Sequence, residues 1–413
     1  MTAQVVLMNR FAVALASDSV VSVNQGNDSY RTLATSEKII TLSGEHDVAI
    51  MVSGNLTLRG FPFEVLVWEW SKTLTGKFAS VADYIPSFIS WLEMRTELQK
   101  DSAEKDYFTE LIDGTLQNIW DGSDDLQTVG EVPEDSETAE EFLERVKNWD
   151  RYAKSRRTFP GWSEQSSSNL AKSKFSEIID NRIDYWFDDR PIAATSRNLI
   201  AGICESLPAW ATTGSYTELV VAGFGSDELL PKMSVVGLYG VLGGVARHKE
   251  IQVESIEDSR GSGGYFQFFG QWDASIQFIR GLDRGIQQSV VDFMERYVRT
   301  LVSSQSMFIE DEGDEDLELF ISDKVRTARL ELEDLIRVHS KEQFVDPLMQ
   351  VISMSPEADL AQMARSLIDI QSIRQSINEI TPTVGGPIDV AVISKTNSFR
   401  WVRHKSLEVK FDQ

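Results

Sequence analysis

The sequence predicts an α+β fold in which a sheet is packed between a second sheet and a layer of helices. Three observations predict it. The apolar runs 3–8 and 11–16 are nearly continuous rather than alternating, as in strands covered on both faces. Two later stretches, 56–74 and 81–98, carry apolar residues at helical spacing, as helices lying across a sheet do. Near the end of the chain, Gly385-Gly386 leads into a further strand, 387–393.

The elements follow in order. Asn9-Arg10 is a polar break between the first two strands. Residues 19–37 are polar and read as a loop with short strand pieces. Runs 38–42 and 47–52 form a second strand pair, turning at Ser43-Gly44-Glu45. Pro62 sets the earliest start of the first helix, and Gly76 is its expected end. A second helix is expected over Val81–Leu98, with Pro86 near its start. Residues 99–195 change character: they are rich in Asp, Glu, Ser and Trp, with helical stretches near 137–148 and 174–187 and a short basic break at Lys154-Ser155-Arg156-Arg157. This reads as an acidic, mainly helical insertion, dividing the chain into 1–98, 99–195 and 196–413. Arg197–Trp210 is helical, and Thr217–Gly225 is a strand entering a glycine turn. Strands are expected at Ser234–Tyr239 and Val241–Val245, one long helix at Trp272–Leu301, an acidic loop at Phe308–Glu318, and helices at Ser322–Ile336 and Pro356–Ile380. The strand after Gly385-Gly386 returns through a turn at 394–398 into Phe399–Arg403.

The chain has 413 residues, 42% apolar and 25% charged, within the ordinary range for a globular protein. Its net charge of −24 opposes docking on nucleic acid or an anionic membrane surface. The single cysteine, Cys204, excludes an internal disulfide and reads as a small buried hydrophobe. No apolar run is long enough to span a bilayer, and Arg10 interrupts what would otherwise resemble a signal segment, so a cytoplasmic protein is expected. His46, His248, His339 and His404 are scattered without metal-binding spacing, so neither metal nor cofactor is expected.

Chemistry concentrates at the start. If Met1 is removed, Thr2 carries a hydroxyl nucleophile beside a free α-amine. Such an amine titrates at about 7.7–8.0 and accepts a proton near neutral pH. Asp18 stands sixteen positions after Thr2; Ser36-Glu37-Lys38 follows, then the apolar run Val48–Val52 ending in Ser53-Gly54. In this order and spacing the chain resembles the β-type subunits of the proteasome family, including bacterial proteasome-like peptidases.

That resemblance implies the four-layer αββα sandwich of the N-terminal nucleophile hydrolases, here enlarged by the helical insertion. It implies Thr2 as nucleophile, Lys38 lowering the proton affinity of the hydroxyl and amine, Asp18 holding Lys38, and the Gly54 N–H in the oxyanion hole. Gly261-Ser262-Gly263 matches the family's Gly-Ser-Gly turn, whose serine, here Ser262, assists proton transfer near the amine. The implied substrates are peptides or proteins, the implied assembly is a homo-oligomeric ring or related multimer, and an ATPase or other regulator is a possible partner. One feature departs from the pattern. Many active family members carry an Asp and a Ser shortly before the late Gly-Gly, where this chain has Thr381 and Val384. Two other readings therefore stay open: a non-catalytic assembly subunit, and a hydrolase of the same class acting on a small non-peptide amide.

Overall fold

The computed structural model describes residues 2–24, 30–33, 36–121, 138–188, 192–212, 216–256, 263–306, 314–378 and 383–405. In chain order the first elements are β1 (Ala3–Asn9), β2 (Ala12–Ser17), β3 (Val21–Asn24), β4 (Tyr30–Leu33), β5 (Ile39–Thr41), β6 (Val48–Gly54), β7 (Thr57–Leu58) and β8 (Phe61–Pro62). Seven helices follow: α1 (Phe63–Ser71), α2 (Tyr84–Glu93), α3 (Asp101–Trp120), α4 (Ala139–Ser155), α5 (Glu164–Leu170), α6 (Ser176–Trp186) and α7 (Ala194–Trp210). Then come β9 (Thr217–Gly223), β10 (Lys232–Leu242), β11 (Val245–Ser255) and β12 (Gly264–Gly270). The chain continues through α8 (Asp273–Arg280), α9 (Arg284–Ser306), α10 (Asp314–Ser340), α11 (Asp346–Met354) and α12 (Glu357–Asn378), and closes with β13 (Asp389–Ser394) and β14 (Ser398–Arg403). The architecture mixes helices with antiparallel sheets, and the chain divides into two compact units, Met1–Ser36 with Ser255–Gln413, and Glu37–Glu254.

The first unit is built on a five-stranded antiparallel sheet of order β12-β1-β2-β13-β14. Alternate side chains, including Val5, Leu7, Ala14 and Val392, pack against Leu360, Ala364 and Ile368 of α12. The intervening side chains Val6, Met8, Val13 and Leu15 are also fully buried, so β1 and β2 are covered on both faces, as their unbroken apolar runs predict. The Asn9-Arg10 break is the turn between them. Asn9 Oδ1 accepts the Phe11 and Ala12 N–H groups, while its Nδ2 donates to the Ile352 and Ser355 carbonyls and ties the turn to the end of α11.

The second unit holds the sheet β11-β10-β9-β6-β5, also antiparallel. Ile50, Val52, Leu219, Val221 and Val236 form one core with α1 and α2, centred on Trp70, Tyr84 and Phe88. A second core lies within the helices α3–α7, where Phe108, Trp149, Phe175 and Leu207 are buried together. Helix α7, which the sequence reading placed after the insertion, thus shares the core of the inserted helices. The π-helical turn Ala171–Phe175 joins α5 to α6.

Several expected boundaries move. The first helix ends at Ser71, not at Gly76, because the Thr73 hydroxyl and amide both turn back onto the Trp70 carbonyl. The second is split: Ser80 caps a 3₁₀ turn at Val81–Asp83, α2 stops at Glu93, and a further 3₁₀ turn covers Thr96–Gln99. The two strands expected around 234–245 are one long strand, β10, and the true turn is Gly243-Gly244. The helix expected over 272–301 breaks at Gly281, whose φ of +70° disfavours a side chain and where a Cβ would sit 2.4 Å from the Phe344 ring. Asp283 then caps the next helix, its Oδ1 accepting the Gly285 and Ile286 N–H groups. Of the acidic loop expected at 308–318, residues 308–313 lie outside the described residues and 314–318 are already helical.

Candidate active site: a pinned Thr2 in one unit, Lys38 and Gly54 in the other

In the first unit β1 runs between β12 and β2, which places Thr2 at the end of a central strand. Two backbone contacts fix it. Gln271 N–H donates to the Thr2 carbonyl at 2.6 Å, and the next residue, Ala3, donates its N–H to Asp18 Oδ1 at 2.9 Å. The Asp18 N–H returns a bond to the Ala3 carbonyl at 3.1 Å, closing the β1–β2 ladder. Asp18 Oδ2 accepts the Gly385 N–H at 3.1 Å, and the Gly385 carbonyl accepts the Ser19 N–H at 3.2 Å. The Asp18 carboxylate is wholly buried and Thr2 is 4% exposed. A buried carboxylate needs such donors, since without them its desolvation would not be offset. Asp18 therefore joins three segments: the start of β1, the end of β2 and the Gly385-Gly386 loop.

Beside this latch lies a second buried ionic contact in the same unit. Asp389 opens β13, and its carboxylate accepts the Lys405 backbone N–H and pairs with the Lys405 ammonium. The ammonium also donates to the Ser36 carbonyl, and the Ser19 hydroxyl to the Pro387 carbonyl. These bonds set the loop from which Gly385 reaches Asp18.

In the second unit β5 and β6 are antiparallel, with Ile39 opposite Met51. Lys38 immediately precedes β5; its carbonyl accepts the Val52 N–H at 2.9 Å, and its side chain is fully buried. Two residues beyond Val52 is Gly54, the exposed last residue of β6. The register thus brings Lys38 and Gly54 to one end of the sheet. Gly54 has φ of +84°, and a Cβ there would lie 2.5 Å from the Tyr216 carbonyl oxygen, so only glycine fits without strain. The neighbouring loop is tied by Asn55 N–H to the Tyr216 carbonyl and by the Thr217 hydroxyl to the Asn55 carbonyl.

No family model matches the chain, and no curated protein matches it. Among solved structures, the chain is similar to the Anbu (Gly-1) mutant from Hyphomicrobium sp. strain MC1, at 12% identity and a TM-score of 0.29, over 98% of this chain and 86% of that one.

Some residues at these strand ends escaped the sequence reading. Glu218 stands opposite Ser53, and burial pushes its carboxyl above the usual range against a hydrogen bond with Tyr216. Tyr216 stacks on Tyr239 with ring centroids 5.4 Å apart. A lone acid in the apolar run Thr217–Gly223 was the available signal. Gln271 contacts Thr2 through its backbone, which no residue-type pattern reveals. Ser262 and Thr381 lie outside the described residues. Gly264, two positions after Ser262, pairs with Asn9, at the opposite end of β1 from Thr2 and roughly 23 Å away at strand rise. The segment Gly264–Gly270 is a strand, β12. Val384 is fully buried in the apolar core of the first unit. Of the histidines, His46 Nδ1 is hydrogen-bonded with the Tyr84 hydroxyl at 3.0 Å, and His404 stacks on Trp401. Among the described residues, no helix is long and apolar enough to cross a membrane.

Proposed function

We propose that this chain is a threonine-type amide hydrolase of the proteasome-like class, folded as a four-layer αββα sandwich and acting on peptide bonds. Two features support the sandwich: each unit has a five-stranded antiparallel sheet with helices on one face, and central strands of each are also buried on the other. The observation that carries the activity is the latch at the start of β1. Strand ends fray unless tied down. Here a buried carboxylate that accepts the Ala3 and Gly385 N–H groups, together with the Gln271 N–H on the Thr2 carbonyl, ties down the start of β1.

Cleavage of the Met1–Thr2 bond gives Thr2 a free amine. In the proposed reaction that amine takes the proton from Thr2 Oγ as the oxygen attacks the amide carbonyl. The Gly54 N–H stabilises the developing oxyanion. The amide C–N bond breaks, the proton passes to the leaving amine, and water then hydrolyses the threonyl ester. Lys38 lowers the proton affinity of the hydroxyl and amine, and Asp18 orders the strand that carries Thr2. The resemblance also gives Ser262 a part in proton transfer near the amine; that residue lies outside the described residues. The protein is proposed to work as a homo-oligomer, with an ATPase or other regulator as a possible partner.

The test is intact mass of the purified protein, followed by hydrolysis of parallel peptide and acyl-amide panels by wild type and Thr2→Ala. Loss of Met1, with peptide cleavage abolished by Thr2→Ala, is expected. Cleavage confined to the acyl amides would move the substrate class to small amides. Unchanged hydrolysis by Thr2→Ala would overturn the mechanism. A second reading, a non-catalytic assembly subunit, is favoured by Val384, an apolar core residue at a place where related active subunits have a polar one. Retained Met1 would support it.

A further inference from the structure

We infer that the groove between α2 and β11 binds a linear aliphatic polyamine. The site lies within the second unit and is independent of the catalytic reading. The groove has a volume of about 420 Å³, within the range of small-molecule sites. Helix α2 forms one wall and β10 and β11 the other, with Pro160-Gly161 beside the start of β11. Its floor is apolar and is made by Ile85 and Ile89 of α2 and Val236 of β10.

Charge selects the ligand class. Glu93 and Glu250 line the groove, and no Lys or Arg does. Neither carboxylate has an ion pair among the described residues. Burial holds the His248 imidazole below its usual pKa, so at neutral pH this lining histidine adds no positive charge. The groove thus offers two negative charges and no positive one, which complements a cation.

Spacing selects the ligand's length. Glu93 Oε1 accepts the Ala246 N–H at 2.9 Å, which anchors that carboxylate beside Ala246. Glu250 projects from the same face of β11 four residues on, roughly 13 Å away at strand rise, and His248 stands between them. One ammonium cannot serve both ends. A single metal ion fails for the same reason: among the described residues, Glu93, His248 and Glu250 do not gather ligand atoms within 4.8 Å of one another. A guanidinium would want a two-oxygen fork, and one Glu93 oxygen is already taken. A quaternary ammonium would want an aromatic cage, and no aromatic ring lines the groove. An aliphatic chain with an ammonium at each end meets both carboxylates and lays its methylenes on Ile85, Ile89 and Val236.

The experiment is isothermal titration calorimetry of the full-length chain with spermidine, at physiological ionic strength to screen diffuse attraction to the acidic surface. Wild type should bind one spermidine per chain, and should bind putrescine, butylamine and N-acetyl-lysine amide more weakly. Glu93→Gln keeps an oxygen for the Ala246 N–H, and Glu250 is exposed, so Glu93→Gln and Glu250→Gln remove charge without removing structure. Far-UV circular dichroism checks that both variants are folded. Each should raise the dissociation constant about fivefold or more. Glu110→Gln, at an exposed acid of α3 outside the groove, should leave it unchanged. No saturable spermidine binding would overturn the site. So would an equal loss in all three variants, which marks adventitious binding to an acidic surface. N-acetyl-lysine amide binding as tightly as spermidine would overturn the polyamine, since one ammonium would then suffice.

Discussion

Replacing Arg247 should destabilise the helical part of the second unit severely. Arg247 lies in β11 with its side chain fully buried. Its Nε donates to the Pro208 carbonyl at 2.8 Å, and its terminal nitrogens donate to the Leu207 carbonyl at 3.3 Å, the Ala211 carbonyl and the Tyr107 hydroxyl. The guanidinium also sits over the Phe159 ring, 5.0 Å from its centre. These carbonyls close the C-terminal end of α7, where the Leu207 carbonyl already accepts the Ala211 N–H at 3.0 Å and the last carbonyls of a helix lack intrahelical donors. Burial pulls the guanidinium pKa below its usual value, which shows the desolvation it bears. The magnitude follows from opposing terms. Four bonds to a charged donor, at about 1.5–3 kcal/mol each, set a ceiling of roughly 6–12 kcal/mol. Removing the charge returns a desolvation cost of several kcal/mol, so Arg247→Met should cost about 3–5 kcal/mol. Arg247→Lys keeps the charge but cannot span the same acceptors, and should fall between wild type and Met. Urea unfolding, followed by tryptophan fluorescence and far-UV circular dichroism, measures both. A Met variant as stable as wild type would refute the capping argument. It would mean that desolvation of Arg247 cancels all four bonds, as it does in some buried ion pairs.

Three further predictions concern the strand ends. Asp18→Asn turns one acceptor oxygen into a donor facing a backbone N–H, and should cost about 2–3 kcal/mol; hydrogen exchange at the Ala3 and Gly385 amides should quicken together, and unchanged protection would contradict the latch. Gly54→Ala places a Cβ 2.5 Å from the Tyr216 carbonyl at positive φ, and should cost at least about 1 kcal/mol and lower turnover; a silent variant would remove the argument for glycine at this position. Because burial raises the Glu218 carboxyl pKa, its stabilising contribution is complete below the unfolded-state value of about 4.3 and is lost as pH rises through the folded-state value. Glu218→Gln should therefore match wild type near pH 4 and exceed it in thermal midpoint at pH 7; the reverse order would show that the Tyr216 hydrogen bond outweighs desolvation.

Much of the fold was legible because local periodicity reports burial. The runs 3–8 and 11–16 became β1 and β2, and the strand after Gly385-Gly386 became β13, since a nearly continuous apolar strand has almost no polar face to leave in water. The helices near 81–98 and 137–148 were visible for the same reason, although their ends moved with capping contacts at Ser80 and Thr138. What could not be read depends on partners distant in the chain. Gly264–Gly270 was assigned no element and is a strand because β1, more than 250 residues earlier, supplies its hydrogen bonds. Arg247 was assigned no role and is a buried cap because α7 ends against β11. The sequence by itself determined which residue types stand at the strand ends: a threonine, an aspartate, a lysine and a glycine in family-like order. Tertiary structure alone decided that both oxygens of Asp18 bind backbone amides and that Gln271 holds Thr2 through its main chain. The physical reason is that every residue but proline offers the same amide, so which amide arrives is set by topology and register, not by side-chain identity.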